Sequence, residues 1–421
     1  MSVLPSPANT SAPQSKGYEA NLDDLLLRFA VGPGRQLNIN TAPLQAQAIQ
    51  TSETPEDFQQ EFGQIYSRTD FSGGSGLDKA HKRDAGESAF TRFWDSKGVD
   101  VFSGKEVGQE YKVSLLKSTE ELSSSTNTNL YMEEMGGSIF FADSDVLKRI
   151  DTPTATSITV VSETAPSAGN AITGLAVLGT QLYIVANGVI YKRTSAGTYA
   201  THNSTKTFSK IWSMKGRIVA SDTSGDLYQV TSASSPTTMK TLPTGTEWTD
   251  LADGGAVVLG AASDGYIYSF TDESSSLTLK GQTFIEGEVP NAIDAAQGFV
   301  FYGTYQNTAS GKIGRLYRAE ITNANSLYVL VNAQLIKQWG DGSTTIDQAP
   351  YKIVSTRDSI YTGIKDSATV TNFWRYYLPT TGIARDIEFA EGGIVEGIAI
   401  FSDRLFATIS DHRFICSRKW P

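Results

Sequence analysis

From about Tyr111 to the end of the chain, apolar and polar residues alternate in short runs broken by Gly, Asp, Asn and Ser, the pattern of strands joined in hairpins. The runs recur as a unit: a strand of small residues, a turn, a β-rich strand, a Gly or Asp turn, and a strand centred on an aromatic. One copy occupies 172–177, 181–185 and 189–192; the next occupies 208–212, 217–220 and 226–229; a third occupies 248–252, 256–259 and 266–269. Further copies centre on Leu316-Tyr317-Arg318 and Phe373-Trp374-Arg375-Tyr376. The step between aromatic anchors runs from about 37 to about 60 residues, the range of propeller blades with loops of unequal length.

The units fall near 126–165, 170–205, 206–244, 245–288, 289–340, 346–392 and 393–421. The expected fold class is therefore all-β: a β-propeller of about seven four-stranded blades. The last unit has room for only three strands, and the run at 111–117 stands alone ahead of the first. An open propeller would leave two exposed sheet edges. The run at 111–117 is therefore expected to pair with 414–417 and close the ring, which places the propeller domain at 109–421.

Ahead of it the pattern is weaker. Residues 1–20, rich in Ser, Pro, Ala and Thr, read as an extended arm that only a neighbour could order. Residues 21–108 read as an irregular anchoring region with short helices. One helix is expected at 21–26 behind Asn21 as a cap, and another at 54–58 with Pro55 in the first turn. Between Ser67 and Val101 the chain is dense in Gly and charge, and Phe71, Phe90, Phe93 and Trp94 would pin it as an aromatic-studded loop.

Composition agrees with strands and turns: of 421 residues, 39% are hydrophobic and only 19% charged. A net charge of -10, without a cluster of Lys and Arg, argues against nucleic acid as a partner. The first 16 residues have neither the basic start nor the apolar stretch of a signal peptide or membrane span. The expectation is a chain made and folded in cytoplasm, with no membrane insertion. Its single cysteine, Cys416, permits no intrachain disulfide and reads as a small buried hydrophobe.

Candidate chemistry is sparse. His81, His202 and His412 lie far apart without metal-ligand spacing, and no GxSxG, GxGxxG or Walker pattern occurs. No catalytic residue, metal or cofactor is assigned. The turns at Asp222 and Asp264 resemble fragments of the Asp-box of sialidase-type propellers, in which the Asp braces its own hairpin, and an Asx-turn is the expected role. A glycan site would want convergent charge, for which Arg357, Arg375, Arg385 and Arg404 are the candidates, and exposed rings. Tyr302, Tyr305, Trp374 and Tyr376 are the candidate binding aromatics, with the stretch from Tyr305 to Gly314 as the binding loop, against packing between blades as the plainer role.

The segment Ser67 to Val101, with its SRTDFSGGSGL start and TRFWDSKGVDV end, resembles a segment found upstream of β-propellers in tail proteins of tailed bacteriophages. The resemblance implies a non-enzymatic virion component: a tail-tip, adaptor or fibre-attachment protein assembled in the host cytoplasm. Its partners would be other tail proteins and copies of itself, and the propeller could face a host glycan or receptor. Phe71, Phe90, Phe93 and Trp94 would then form the assembly interface, against packing on the same chain's propeller as the plainer role. The alternatives are a carbohydrate-binding or glycan-degrading propeller, and a monomeric cellular scaffold for peptides.

Overall fold

Ile139, Phe140, Phe141 and Ala142 are consecutive and all buried, so their strand is covered on both faces. The same holds for the second strand of every repeat, for example Gln181–Ala186, Val257–Ala262 and Arg404–Ile409. Fourth strands such as Thr198–Asn203 and Thr237–Thr241 are largely exposed. A gradient from continuous apolar runs to polar edges is what results when twisted sheets stack face to face around an axis.

The computed structural model describes residues 131–410 apart from a few loop positions, and the strand Arg413–Arg418. Before residue 131 it describes 17–22, 25–31, 37–41, 74–75, 92–93, 99–102, 114–115 and 118–124. The chain divides into two compact units, residues 1–116 with 380–384, and residues 117–379 with 385–421.

The larger unit is a β-propeller. Its first blade is the meander Met132–Met135, Ser138–Asp143, Val146–Ile150 and Val161–Ser162. Equivalent antiparallel meanders span 172–203, 208–241, 248–284 and 289–339, and the strands of 353–389 follow as a further sheet, of which residues 380–384 belong to the smaller unit. A final sheet joins Val395–Phe401, Arg404–Ile409 and Arg413–Arg418 to the earlier strand Ser118–Ser124. The first strand of each meander touches the first strand of the next, and Val395–Phe401 touches Met132–Met135. Aromatic wedges fill the space between blades. Trp248, fully buried, lies over Gly260, where an added Cβ would come within 2.7 Å of its ring.

Two expectations are corrected. The strand that completes the last sheet is Ser118–Ser124, not the run at 111–117: Cys416 is opposite Glu120 and Ser417 opposite Thr119. Ser114–Leu115 instead pairs with Val99–Asp100 in the smaller unit. The run Tyr111 to Lys117 is the more apolar of the two, but the fourth strand of a blade is an outer strand, which tolerates polar residues such as those of STEELSS.

The expected helix at 21–26 is also replaced. Gly17–Leu22 and Leu25–Val31 pair antiparallel with Leu22 opposite Leu25, and Leu37–Thr41 adds a third strand. Asn21 lies in a strand opposite Leu26, and the alternation Leu25, Leu27, Phe29, Val31 has the period of a strand. Elsewhere in this unit Gly74–Ser75 pairs in parallel with Arg92–Phe93, and Gly74 with Ile383. Val99, Val101 and Phe102 are buried. No helix occurs among the described residues; residues 54–58 and most of the arm at 1–20 lie outside them.

Candidate functional site: the axial cavity

Five innermost strands carry a β-bulge near their start, between Ile172 and Gly174, Phe208 and Lys210, Trp248 and Asp250, Pro290 and Ala292, and Val395 and Gly397. A bulge leaves one residue out of the ladder and re-aims it. Those residues are Thr173, Ser209, Thr249, Asn291 and Glu396, and all but Ser209 line a cavity of about 330 Å³ on the propeller axis.

The bulges also link successive blades. Lys210 Nζ donates to Trp248 O at 3.0 Å, Thr249 Oγ1 to Pro290 O at 3.0 Å, and Asn291 Nδ2 to Pro350 O at 3.0 Å. Each donor at or beside a bulge thus bonds a carbonyl at the entry of the next blade.

Asp250 is the hub. Its carboxylate, 4% exposed, accepts from Trp212 Nε1 at 3.2 Å, from its neighbour Leu251 N at 3.0 Å, and from Ile293 N at 3.3 Å. Lys352 Nζ approaches both oxygens, at 3.3 and 3.4 Å. One side chain thereby joins four blades. Burial acts to lower the Lys352 ammonium, but Asp250, Glu133 and Asp294 more than reverse this and hold it above the ordinary lysine range. Asp294 is raised by burial, against the opposing bonds from Ala295 N and Ser355.

Across the cavity, burial pushes the Glu133 carboxyl up to about 7, Asp250 adds to the effect and Lys352 opposes it. Burial likewise raises the Tyr131 and Tyr351 phenols, and Tyr351 also donates to Asp347 Oδ2 at 2.7 Å. Glu133 has the proton affinity of a general acid or base near neutrality. The carboxylates around Lys352 favour its protonated form. Chiefly, the arrangement ties blades together at the axis.

The candidate aromatics pack within the propeller. Tyr302, 2% exposed, stacks on Tyr317 at 5.2 Å; Tyr376, 3% exposed, lies 5.7 Å from Phe301; Trp374, 7% exposed, lies 6.0 Å from Trp339. Tyr305 is covered by Lys312 Nζ, 4.5 Å from its ring centre. The expected binding loop is a short hairpin turn, because strand Phe299–Asn307 runs almost directly into Lys312–Ala324.

The arginines do not converge. Arg375 bonds Ser359 Oγ, Arg385 bonds Glu388, and Arg404 reaches the carbonyls of Pro153 and Ala155. His202 packs edge-on against Tyr183 at 4.9 Å, and burial lowers its pKa. His81, His412, Phe71, Phe90 and Trp94 lie outside the described residues; Phe93 falls in the strand Arg92–Phe93, and Cys416 in Arg413–Arg418. Among the described residues, no group of three or more His, Cys, Asp or Glu could hold a metal, and no helix is long and apolar enough to cross a membrane.

The turn aspartates are braces. Asp222 Oδ1 accepts from the amides of Ser224 and Asp226, and Asp264 Oδ1 from that of Tyr266. The sequence reading missed their second oxygens. Tyr228 OH donates to Asp222 and Tyr268 OH to Asp264, as Tyr351 does to Asp347. An Asp followed four or six residues later by Tyr was the available signal.

No protein-family model matches the chain, and no curated protein matches it in sequence. Solved β-propellers match in shape. A chain in a crystal structure of the mitotic checkpoint complex aligns at TM-score 0.51 with 11% identity, over 73% of this chain and 96% of that one. The β-propeller domain of Cps50 (Swd1) from Myceliophteria thermophila aligns at 0.51 with 11% identity, over 71% of this chain and 99% of that one, and the WD40 repeats of RRP9 align at 0.51 with 11% identity, over 72% and 98%. Identity this low establishes the fold alone.

Proposed function

We propose that the protein is a non-enzymatic assembly component: a seven-bladed propeller carried on an N-terminal region that docks to neighbouring subunits. Its place is the tail of a virion assembled in host cytoplasm, and its partners are other tail proteins and copies of itself. The count of seven takes the meander 353–389 together with the other six sheets around the ring of innermost strands.

The observation that carries this reading is the state of the axis. A concave cavity lined by a few convergent polar groups is where ligand binding or chemistry is to be sought. Here Lys210, Thr249, Asp250, Asn291 and Lys352 are engaged in bonds between blades, which favours a rigid module over a reactive one. The separate N-terminal unit supplies the docking part, and the resemblance at Ser67 to Val101 supplies the tail. Burial of Tyr302, Trp374 and Tyr376 removes the aromatic platform of a glycan-directed role.

Density-gradient fractionation of cells producing the full chain, beside cells producing a chain without residues 1–41, tests the proposal. The full chain should co-sediment with virion-sized particles and the shortened chain should stay in the soluble fraction. If the full chain also stays soluble, the proposal fails.

A further inference from the structure

The charges that line the axial cavity are unbalanced. Four carboxyls face it, Glu133, Glu247, Asp250 and Glu396, against two ammonium groups, Lys210 and Lys352. Both ammonium groups are engaged: Lys210 Nζ with Trp248 O at 3.0 Å and Glu247 Oε2 at 3.5 Å, and Lys352 Nζ with Asp250 at 3.3 and 3.4 Å. The Glu133 carboxyl, on the strand Met132–Met135, accepts no hydrogen bond from any described residue. Beside burial, Glu396 and Glu247 raise the Tyr131 phenol, so the field at that wall is negative.

We propose that the axial cavity binds one protonated primary amine, its ammonium donating to the Glu133 carboxyl and its carbon chain lying along Met132, Leu175, Ile211 and the ring of Trp212. The volume, about 330 Å³, falls within the range of small-molecule sites, and the lining combines buried apolar side chains with a few convergent polar groups. Glu247, its side chain 67% exposed, stands where solvent reaches the cavity. Carboxyls lining a cleft with low-dielectric walls focus their field and concentrate cations there. Burial and then Asp250 raise Glu133, against Lys352, to about 7; an ammonium in contact favours the charged carboxylate and displaces this proton. Binding therefore strengthens as pH rises through that value, with Asp250 and Lys352 beside Glu133 and with Tyr131, Lys210, Glu247, Tyr351 and Glu396 completing the ionisable lining. Such a site is independent of the docking role given to the N-terminal region.

Isothermal titration calorimetry of the full chain with n-butylammonium chloride at constant ionic strength tests this. The expected result is saturable binding of one amine per chain at pH 8, at least tenfold weaker at pH 5.5. Glu133→Gln removes the charge, and Thr173→Leu fills space at a bulge without changing charge. Each should weaken binding at least tenfold at pH 8, and Glu133→Gln should also remove the pH dependence. A retained propeller melting transition shows that each variant is folded. N-acetyl-lysine N-methylamide separates two sources of the amine: binding as tight as that of n-butylammonium assigns the site to a lysine side chain of a partner, and weaker binding to a free amine. Absence of saturable binding, equal binding of n-butyrate, or an unchanged affinity in Glu133→Gln overturns the inference.

Discussion

Arg404 Nη1 donates to the carbonyl of Pro153 at 2.8 Å, across 251 residues of sequence, and to that of Ala155 at 2.7 Å. Arg404 lies in the last blade and Pro153 in a loop of the first, so the guanidinium ties the ends of the ring. Arg404→Ala should destabilise the propeller by about 1–3 kcal/mol, the worth of charged hydrogen bonds to otherwise unmet carbonyls. Thermal unfolding would register this as a drop of several degrees; an unchanged transition would rule the contact out as a stabilising one.

Glu163, 8% exposed, joins the first two blades. It accepts from Arg149 at 2.6 Å, from Arg193 at 2.8 and 2.7 Å, and from Gly197 N at 3.0 Å. Removing it takes the carboxylate from Arg193 and leaves Arg149 with Asp151 alone, and Glu163→Ala should cost about 3–5 kcal/mol. Burial would raise this carboxyl, but the bonds from Arg193 and Gly197 hold it below the usual range. Its contribution is therefore present above the unfolded value and is lost as pH falls through the folded one. Chemical denaturation at pH 7 and at pH 3 should show the gap between the unchanged chain and Glu163→Gln narrowing in acid.

Glu133 behaves oppositely. An unfolded glutamate releases its proton near pH ~4.3, whereas the folded one holds it up to about 7. Between those values the folded state binds more protons, so stability falls as pH rises through the interval. Glu133→Gln should flatten this decline and be more stable than the unchanged chain at pH 8, by about 1–3 kcal/mol. Parallel slopes for the two proteins between pH 5 and 8 would contradict the account of the cavity.

Tyr268 OH donates to Asp264 Oδ2 at 2.6 Å and anchors a hairpin turn whose aspartate already holds an amide. Tyr268→Phe should cost about 0.5–1.5 kcal/mol, since the ring stays and one hydrogen bond goes. Equilibrium urea unfolding gives the value directly; no change would mean that the phenol exchanges this bond for water without loss.

The propeller was legible because each blade imposes a repeating burial gradient on its strands. Continuous apolar runs such as Leu182 to Ala186 mark a strand covered on both faces, and polar runs such as Thr237–Thr241 mark an edge. The closing strand was harder to read, since an outer strand such as Ser118–Ser124 need not be apolar and its partner lies about three hundred residues away. At 21–26 local cap and turn signals coincide, and only the strand period across Leu25–Val31 separates them. The axial cavity was not legible at all. Glu133, Asp250 and Lys352 come from three blades, and Asp250 stands at a bulge, which leaves no mark in hydrophobic period. Exposed aromatics were sought for a surface, yet Tyr302 and Trp374 are wedges between blades, a distinction that period alone does not make.

Closure of the ring by Ser118–Ser124 is the claim on which the rest depends, and the chain's single cysteine allows a direct test. Glu120 is directly opposite Cys416, and opposed residues of an antiparallel pair lie within disulfide reach. Mass spectrometry of Glu120→Cys after mild oxidation should find an intrachain disulfide between positions 120 and 416, and Val113→Cys, in the run first expected to close the ring, should yield none. Free thiols in oxidised Glu120→Cys, or a bridge to position 113 instead, would contradict the closure described.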